Sequence, residues 1–196
     1  VAVYEYVFGA DSLLWCGYIM TDIAKKQDED YPYLFNVTAT DGLARLKNHW
    51  FNNTDSETVD PSPFGDNFID LLVNLCFSRL TELTDEYFSG TDIFLKTHVN
   101  WYNGDHSTPS ESIDPLAETF VRPRTFATKE TTRWKHKTCY EALEIIARHW
   151  NARILFSNGA WFFSQYNVRE NATFEERRYN KTGGYIAADT LAHEQL

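Results

Sequence analysis

Cysteine and methionine are scarce in this chain, three and one among 196 residues. Cys16, Cys76 and Cys139 are odd in number, far apart and each set among apolar neighbours. That pattern predicts three buried thiols in a reducing setting, with one disulfide plus a free thiol as the alternative. There is no C-x-x-C, no H-E-x-x-H, no Gly-rich phosphate loop and no G-x-S-x-G elbow. No apolar run approaches the roughly 18 residues of a spanning helix, so no membrane span is expected. Basic residues are the minority, 18 against 28 acidic, for a net charge of −10. This balance argues against a diffuse duplex-DNA or anionic-membrane surface, and direct nucleic-acid binding is not expected. The six histidines are dispersed. Only His98, with Asp105 and His106, makes a metal-like grouping, and its spacing matches no strong zinc site. No metal, cofactor or catalytic residue is expected, since no nucleophile, base or carboxylate pair is recognisable.

Core-forming residues are plentiful. The chain is 43% hydrophobic and 16% aromatic, enough for one large domain or two small ones and incompatible with a disordered chain. The start at Val1, without Met, is expected of a fragment or a processed product.

The clearest element is Thr138–Tyr166. Thr138 and Glu141 have capping-box spacing, in which each side chain satisfies a free N–H at the helix start. Leu143, Ile146, Ala147 and Trp150 recur at helical spacing, and Asn151 suits a left-handed helix end. Ala152–Phe156 and Ala160–Tyr166 then read as strands about the turn Ser157-Asn158-Gly159.

Residues 1–23 predict a hairpin turning at Gly9-Ala10-Asp11-Ser12. Lys25–Asp30 reads as a solvated connection and Leu34–Thr40 as a strand. A helix is expected over 41–50, capped by Thr40 or Asp41, with Gly42 allowing a close backbone approach. Asn52–Gly65 is a polar loop. Asp66 is expected to cap a helix over 67–80 with a wide apolar face. Residues 93–102 alternate as a strand, with Leu95, Val99 and Trp101 on one side and Phe94, Lys96 and His98 on the other. Pro115–Val121 suggests a short helical turn. Residues 167–196 turn polar, and Thr173–Asn180 and Tyr185–Thr190 predict either paired strands or an extension that orders against another chain.

Three further patterns bear on function. Arg122–Lys137 is irregular and locally basic, and Arg122, Arg124, Arg133, Lys135 and Lys137 are candidate contacts for an acidic partner surface. Trp101, Tyr102 and Trp134 are candidate sugar-stacking residues, against core packing as the plainer reading. Sequons at Asn36, Asn52, Asn171 and Asn180 read as incidental. Thr38–Trp50 also echoes Thr138–Trp150: each starts on a capping Thr and ends in His-Trp, which suggests two related strand-and-helix halves.

The blocks W-x-G-Y-I (Trp15–Ile19), Y-P-Y (Tyr31–Tyr33) and T-A-T-D-G-L-A-R-L-K (Thr38–Lys47) resemble tail proteins of phages and prophages from gut Bacteroides-type bacteria. C-Y-E-A-L-E-I-I (Cys139–Ile146), N-A-R-I-L (Asn151–Leu155) and S-N-G-A-W (Ser157–Trp161) continue the pattern, which covers most of 13–166. More remotely, such blocks are similar to tail-tip and baseplate hub proteins. The resemblance implies a structural, non-enzymatic protein that assembles with itself, commonly as a trimer, and with other tail proteins. It would be assembled in the bacterial cytoplasm and reside in the virion tail. Hub proteins are usually longer, so this chain would be one segment of such a protein. The expected fold is α+β: small antiparallel, curved or barrel-like sheets with three main helices, a hub-like domain over 1–166 and a polar extension over 167–196. A carbohydrate-binding module for host recognition is the alternative function.

Overall fold

The computed structural model describes residues 1–7, 10–20, 25–26, 35–36, 38–61, 65–99, 114–166 and 173–192. The fold is α+β. Strands β1 (Ala2–Val7) and β2 (Ala10–Cys16) form an antiparallel ribbon with Val7 opposite Ala10. Asp11 and Ser12 therefore belong to the second strand rather than to the turn. Short pairs follow. Strand β3 (Tyr18–Ile19) pairs with β6 (Ala39–Thr40), and β4 (Lys25–Lys26) with β5 (Phe35–Asn36). Lys25 and Lys26 are thus strand residues rather than a free connection, and of the strand expected over 34–40 the described pairs 35–36 and 39–40 bond to two different partners.

The helix expected over 41–50 is a tighter 3-10 run, Leu43–Asn48. Gly42 precedes it at φ 90°, and a Cβ there would lie 2.4 Å from the Tyr18 ring. The cap position is Gly42 rather than Thr40 or Asp41; Asp41, one residue earlier, accepts from the Leu43 N–H at 3.0 Å in a local turn. The run stops because the backbone turns extended at His49 and Trp50 bridges to Thr138.

The 67–80 expectation also changes. Asp66 lies in β7 (Asp66–Asn67), which pairs with β9 (Phe120–Val121), and Asn67 is the cap, accepting from the Asp70 N–H at 2.8 Å. One turn, α1 (Phe68–Asp70), widens into a π-helical segment (Leu71–Cys76) and tightens into a 3-10 turn (Phe77–Arg79). Leu71, Leu72, Val73, Leu75, Cys76 and Phe77 are all buried, more of the circumference than a regular amphipathic helix hides. The irregular winding accompanies that nearly all-round burial. After Leu80 a separate helix, α2 (Thr81–Tyr87), begins, which the periodicity did not single out.

Strand β8 (Leu95–His98) follows, then α3 (Pro115–Glu118), capped by Asp114 with Pro at its first position. The basic segment is ordered rather than irregular. It runs through β9, a 3-10 turn (Pro123–Phe126) and a hairpin of β10 (Ala127–Lys129) and β11 (Trp134–His136).

Helix α4 (Cys139–His149) carries the complete Thr138/Glu141 capping box. It buries Cys139, Ala142, Leu143 and Ile146, each larger side chain contributing about 1.5–3 kcal/mol. Asn151, at φ 48°, ends it. Strands β12 (Ala152–Ser157) and β13 (Ala160–Gln165) form the expected hairpin about Asn158 and Gly159, both at positive φ. Strands β14 (Thr173–Tyr179) and β15 (Tyr185–Ala192) pair as well.

These strands build the main sheet, in the order β12-β13-β8-β14-β15. It is an open, mixed sheet, since β13 runs parallel to β8. The expected small antiparallel sheets are present as five two-stranded pairs; the main sheet adds one parallel pairing, and no sheet closes into a barrel among the described residues. Strand β14 sits inside the sheet and buries Arg177 and Tyr179 fully.

Candidate functional site

Alternation gives the main sheet two faces. One carries Leu95, Trp161, Phe163 and Tyr179 into the core, where Trp161 stacks on Phe77 at 4.6 Å. Phe94, expected beside Lys96, packs instead against Phe77 and Phe88, because it precedes the strand's paired stretch. The other face is polar. The ladder places Ser164 beside His98 and Phe162 beside Lys96, with Arg178 on the far side of Lys96. Arg153 lies opposite Ser164. Together they line a groove of about 340 Å³.

Glu176 is the electrostatic centre of this groove. It is 2% exposed. Its Oε2 accepts from His98 Nε2 at 3.0 Å. Its Oε1 accepts from Arg178 Nε at 2.7 Å and lies 3.3 Å from Lys96 Nζ. Burial pushes the carboxyl up, but the His98 bond, the Arg178 bond and the Lys96 charge outweigh it and bring the group down to about 2. Arg178 reaches on to Asp189 at 2.7 Å. On the other side of the ring, His98 Nδ1 lies 3.3 Å from Ser164 Oγ. Phe162 and Phe174 pack edge-on to the His98 ring.

Ser164, His98 and Glu176 thus align as serine, imidazole and carboxylate. The surroundings favour binding over nucleophilic chemistry. Ser164 sits in mid-strand, laddered to Arg153 on one side and His98 on the other. A strand interior offers no cluster of free N–H groups beside Oγ to hold an oxyanion. Glu176 is shared with two cations rather than reserved for the imidazole.

On the core face lies a second polar cluster. Asp114 is fully buried and accepts from the Leu116 N–H at 2.9 Å, Thr97 Oγ1 at 3.2 Å and the Tyr179 hydroxyl. Burial raises its carboxyl, with Arg177 and these donors opposing the rise. Arg177 donates to the Val99 carbonyl at 2.9 Å and pairs with Glu175. This cluster ties α3 to the sheet and has a structural role.

The residues singled out in the sequence fall elsewhere or apart. Arg124 and Lys129 lie over the Trp134 ring at 5.6 and 5.9 Å. Trp134 is half-buried, and the two cations cover part of its ring. Arg133 pairs with Glu130 at 3.0 Å and Lys135 with Glu57 at 3.6 Å, so part of the basic segment is neutralised within the chain. Arg122 and Lys137 have no ion-pair partner among the described residues. Trp101, Tyr102, Asp105 and His106 lie outside the described residues. Among those described, no group of three metal-ligating side chains comes together, and no helix is long and apolar enough to cross a membrane.

Of the groove residues, the sequence flagged only His98 and the outward turn of Lys96. Ser164, Glu176, Arg178 and Arg153 were missed. The available signal was the strand reading of 173–180, which puts Glu176 and Arg178 on one face. Nothing local pairs that strand with a segment about eighty residues earlier.

All three cysteines are free and buried. Cys139 Sγ donates to the Leu75 carbonyl at 3.2 Å. Comparison with family models, with curated proteins and with solved structures finds no match for this chain.

Proposed function

We propose that this chain is an assembly subunit of a phage or prophage tail, a segment of a tail-tip or baseplate hub that works by burying surface against further copies and other tail proteins. The observation that carries the reading is the β1–β2 ribbon. Val3, Tyr4 and Tyr6 are 48%, 52% and 73% exposed on it. A two-stranded ribbon is marginal alone, and unpaired strand edges rich in valine and tyrosine are templates for pairing with another chain. The base of the ribbon is fixed. Val1 and Gly17 exchange hydrogen bonds at 2.8 Å, and the Gly159 N–H donates to the Leu14 carbonyl at 3.0 Å. A rigid base with an apolar arm suits docking between copies.

Charge supports the same reading. Arg122, Arg124 and Lys137 carry no ion-pair partner among the described residues of a chain of net charge −10, so they suit contact with an acidic surface on the next copy.

The test is mass in solution by light scattering over a wide concentration range, for the wild type and for Tyr4→Glu/Tyr6→Glu. A trimer or larger ring that the double variant reduces to monomer supports the proposal. A monomer up to millimolar concentration, or a ring that the variant leaves intact, removes the ribbon as the assembly device.

A further inference from the structure

We propose that the groove over His98, Ser164 and Glu176 is a binding site for a carboxylated sugar ring. The inference goes beyond the assembly reading and stands without it. Three features of the groove point to that ligand class.

The first is charge. Lys96, Arg153 and Arg178 face the groove, while Glu176 and Asp189 are the carboxylates that pair with Lys96 and Arg178. Three cations against two carboxylates leave one positive charge, and it belongs to Arg153, which has no ion-pair partner among the described residues. Its planar guanidinium matches one carboxylate by two parallel hydrogen bonds. One free cation selects a monoanion on a protein that otherwise repels anions.

The second is the platform. Phe162 is half-buried on the groove floor, with Leu155 beside it on β12 and Leu191 lining the groove from β15. Lys96 Nζ lies 5.3 Å from its ring centroid, so the ammonium covers part of the ring and a ligand meets the part that stays exposed. A pyranose has an apolar C–H face that covers such a ring, while its edge hydroxyls stay polar. A flat aromatic acid would use the ring but not the polar wall.

The third is that wall. Ser157 and Asn158 border the groove at the β12–β13 turn, and Ser164 lies on its floor. The Ser157 hydroxyl and Asn158 amide supply donors and acceptors for ring hydroxyls. The floor is preorganised, since Glu176 clamps His98, Lys96 and Arg178 from below, so little ordering cost remains for a ligand. The volume, about 340 Å³, falls at the small end of ligand sites, which run from about 300 to 1,000 Å³.

The experiment is an NMR titration of the 15N-labelled chain with D-glucuronate, D-glucose, benzoate and inorganic phosphate. The expected result is saturable shifts at Ser157, Asn158, Phe162 and Ser164 with glucuronate, with glucose about tenfold weaker, equivalent to about 1.4 kcal/mol. Arg153→Gln, whose unchanged spectrum elsewhere verifies its fold, should bind glucuronate no better than glucose. Phe162→Leu should weaken both sugars and leave phosphate unaffected. Absence of shifts in the groove, or glucuronate binding that Arg153→Gln leaves unchanged, overturns the site. Benzoate or phosphate binding as tightly as glucuronate overturns the sugar assignment, because the groove would then read charge alone.

Discussion

Trp50 and Thr138 face each other in a single antiparallel bridge. The bridge joins the last residue of the Thr38–Trp50 segment to the first residue of its echo, Thr138–Trp150. Two more backbone bonds hold it, from the Phe51 N–H to the Lys137 carbonyl and from the Cys139 N–H to the His49 carbonyl, at 2.9 and 2.8 Å. Thr138 therefore both bridges and caps. Thr138→Ala keeps the backbone bridge but removes the hydroxyl that accepts from the Glu141 N–H at 3.2 Å. The expected loss is about 1 kcal/mol, read as a lower urea midpoint with unchanged slope. A changed slope would mean that the bridge itself, not the cap, had been disturbed.

Gly42 is the second point of control over that first segment. It adopts φ 90°, and any Cβ would collide with the Tyr18 ring. Tyr18 is itself held, with the Arg45 guanidinium 4.0 Å over its ring. Gly42→Ala should cost about 1–3 kcal/mol from the positive φ alone. The check is thermal unfolding of Gly42→Ala beside Gly90→Ala, where an added Cβ meets nothing within 4 Å. Equal melting shifts for the two would show that neither the positive φ nor the Tyr18 contact imposes a constraint at Gly42.

These two sites show what the chain declares locally. The Thr138/Glu141 box, the Asn151 stop and the Asn158-Gly159 turn are each written within a few residues, and each forms as read. Gly42 was legible too, as a glycine where a helix former was expected. What was hidden depends on distant partners. The 3-10 and π windings at 43–48 and 71–76 accompany packing from other elements, against propensities that favour a regular helix. The groove is assembled from β12, β13, β8, β14 and β15, and the parallel β13–β8 pairing leaves no mark on either strand's sequence. In the basic segment, charge density along the chain does not show that Glu130 and Glu57 pair with Arg133 and Lys135.

Asp114 and Tyr179 carry the next prediction. The Tyr179 hydroxyl donates to Asp114, and both are fully buried. Tyr179→Phe keeps the ring and removes one donor from a buried carboxylate. The expected loss at neutral pH is about 1–3 kcal/mol. Because burial raises the Asp114 carboxyl above its unfolded value, protonation favours the folded state. The deficit of Tyr179→Phe should therefore shrink as the solution is acidified below neutrality. Urea titrations at pH 7 and pH 5 measure it, and a deficit that grows on acidification contradicts the assignment.

The thiols give a chemical test of the core. Burial raises the Cys16 thiol to about 11, with the N-terminal charge opposing, and raises Cys76 well above the usual thiol range. Thiolate is the reactive form. No thiol of the native chain should react with an aromatic disulfide reagent at pH 8 within minutes, and all three should react at once in urea. A native thiol that reacts at the rate of free cysteine would place it on the surface.

Glu176 links the groove to pH. Its folded value, about 2, lies below the unfolded glutamate value of about 4.3. A lowered carboxyl adds stability that is complete above the unfolded value and is lost as pH falls through the folded one. The window is therefore about pH 4.5 down to 2. Glu176→Gln should lower stability at pH 7 by about 2 kcal/mol, in the range for hydrogen bonds to charged groups, because His98, Lys96 and Arg178 lose their shared partner. The difference between wild type and variant should narrow steadily as pH falls through that window, since the wild-type carboxyl then also becomes neutral. Unfolding free energies at half-unit pH intervals measure both curves. A difference that stays constant from pH 5 to 2.5 would show that the ionised carboxylate does not hold the groove together, and that its clamp on His98, Lys96 and Arg178 comes from geometry alone.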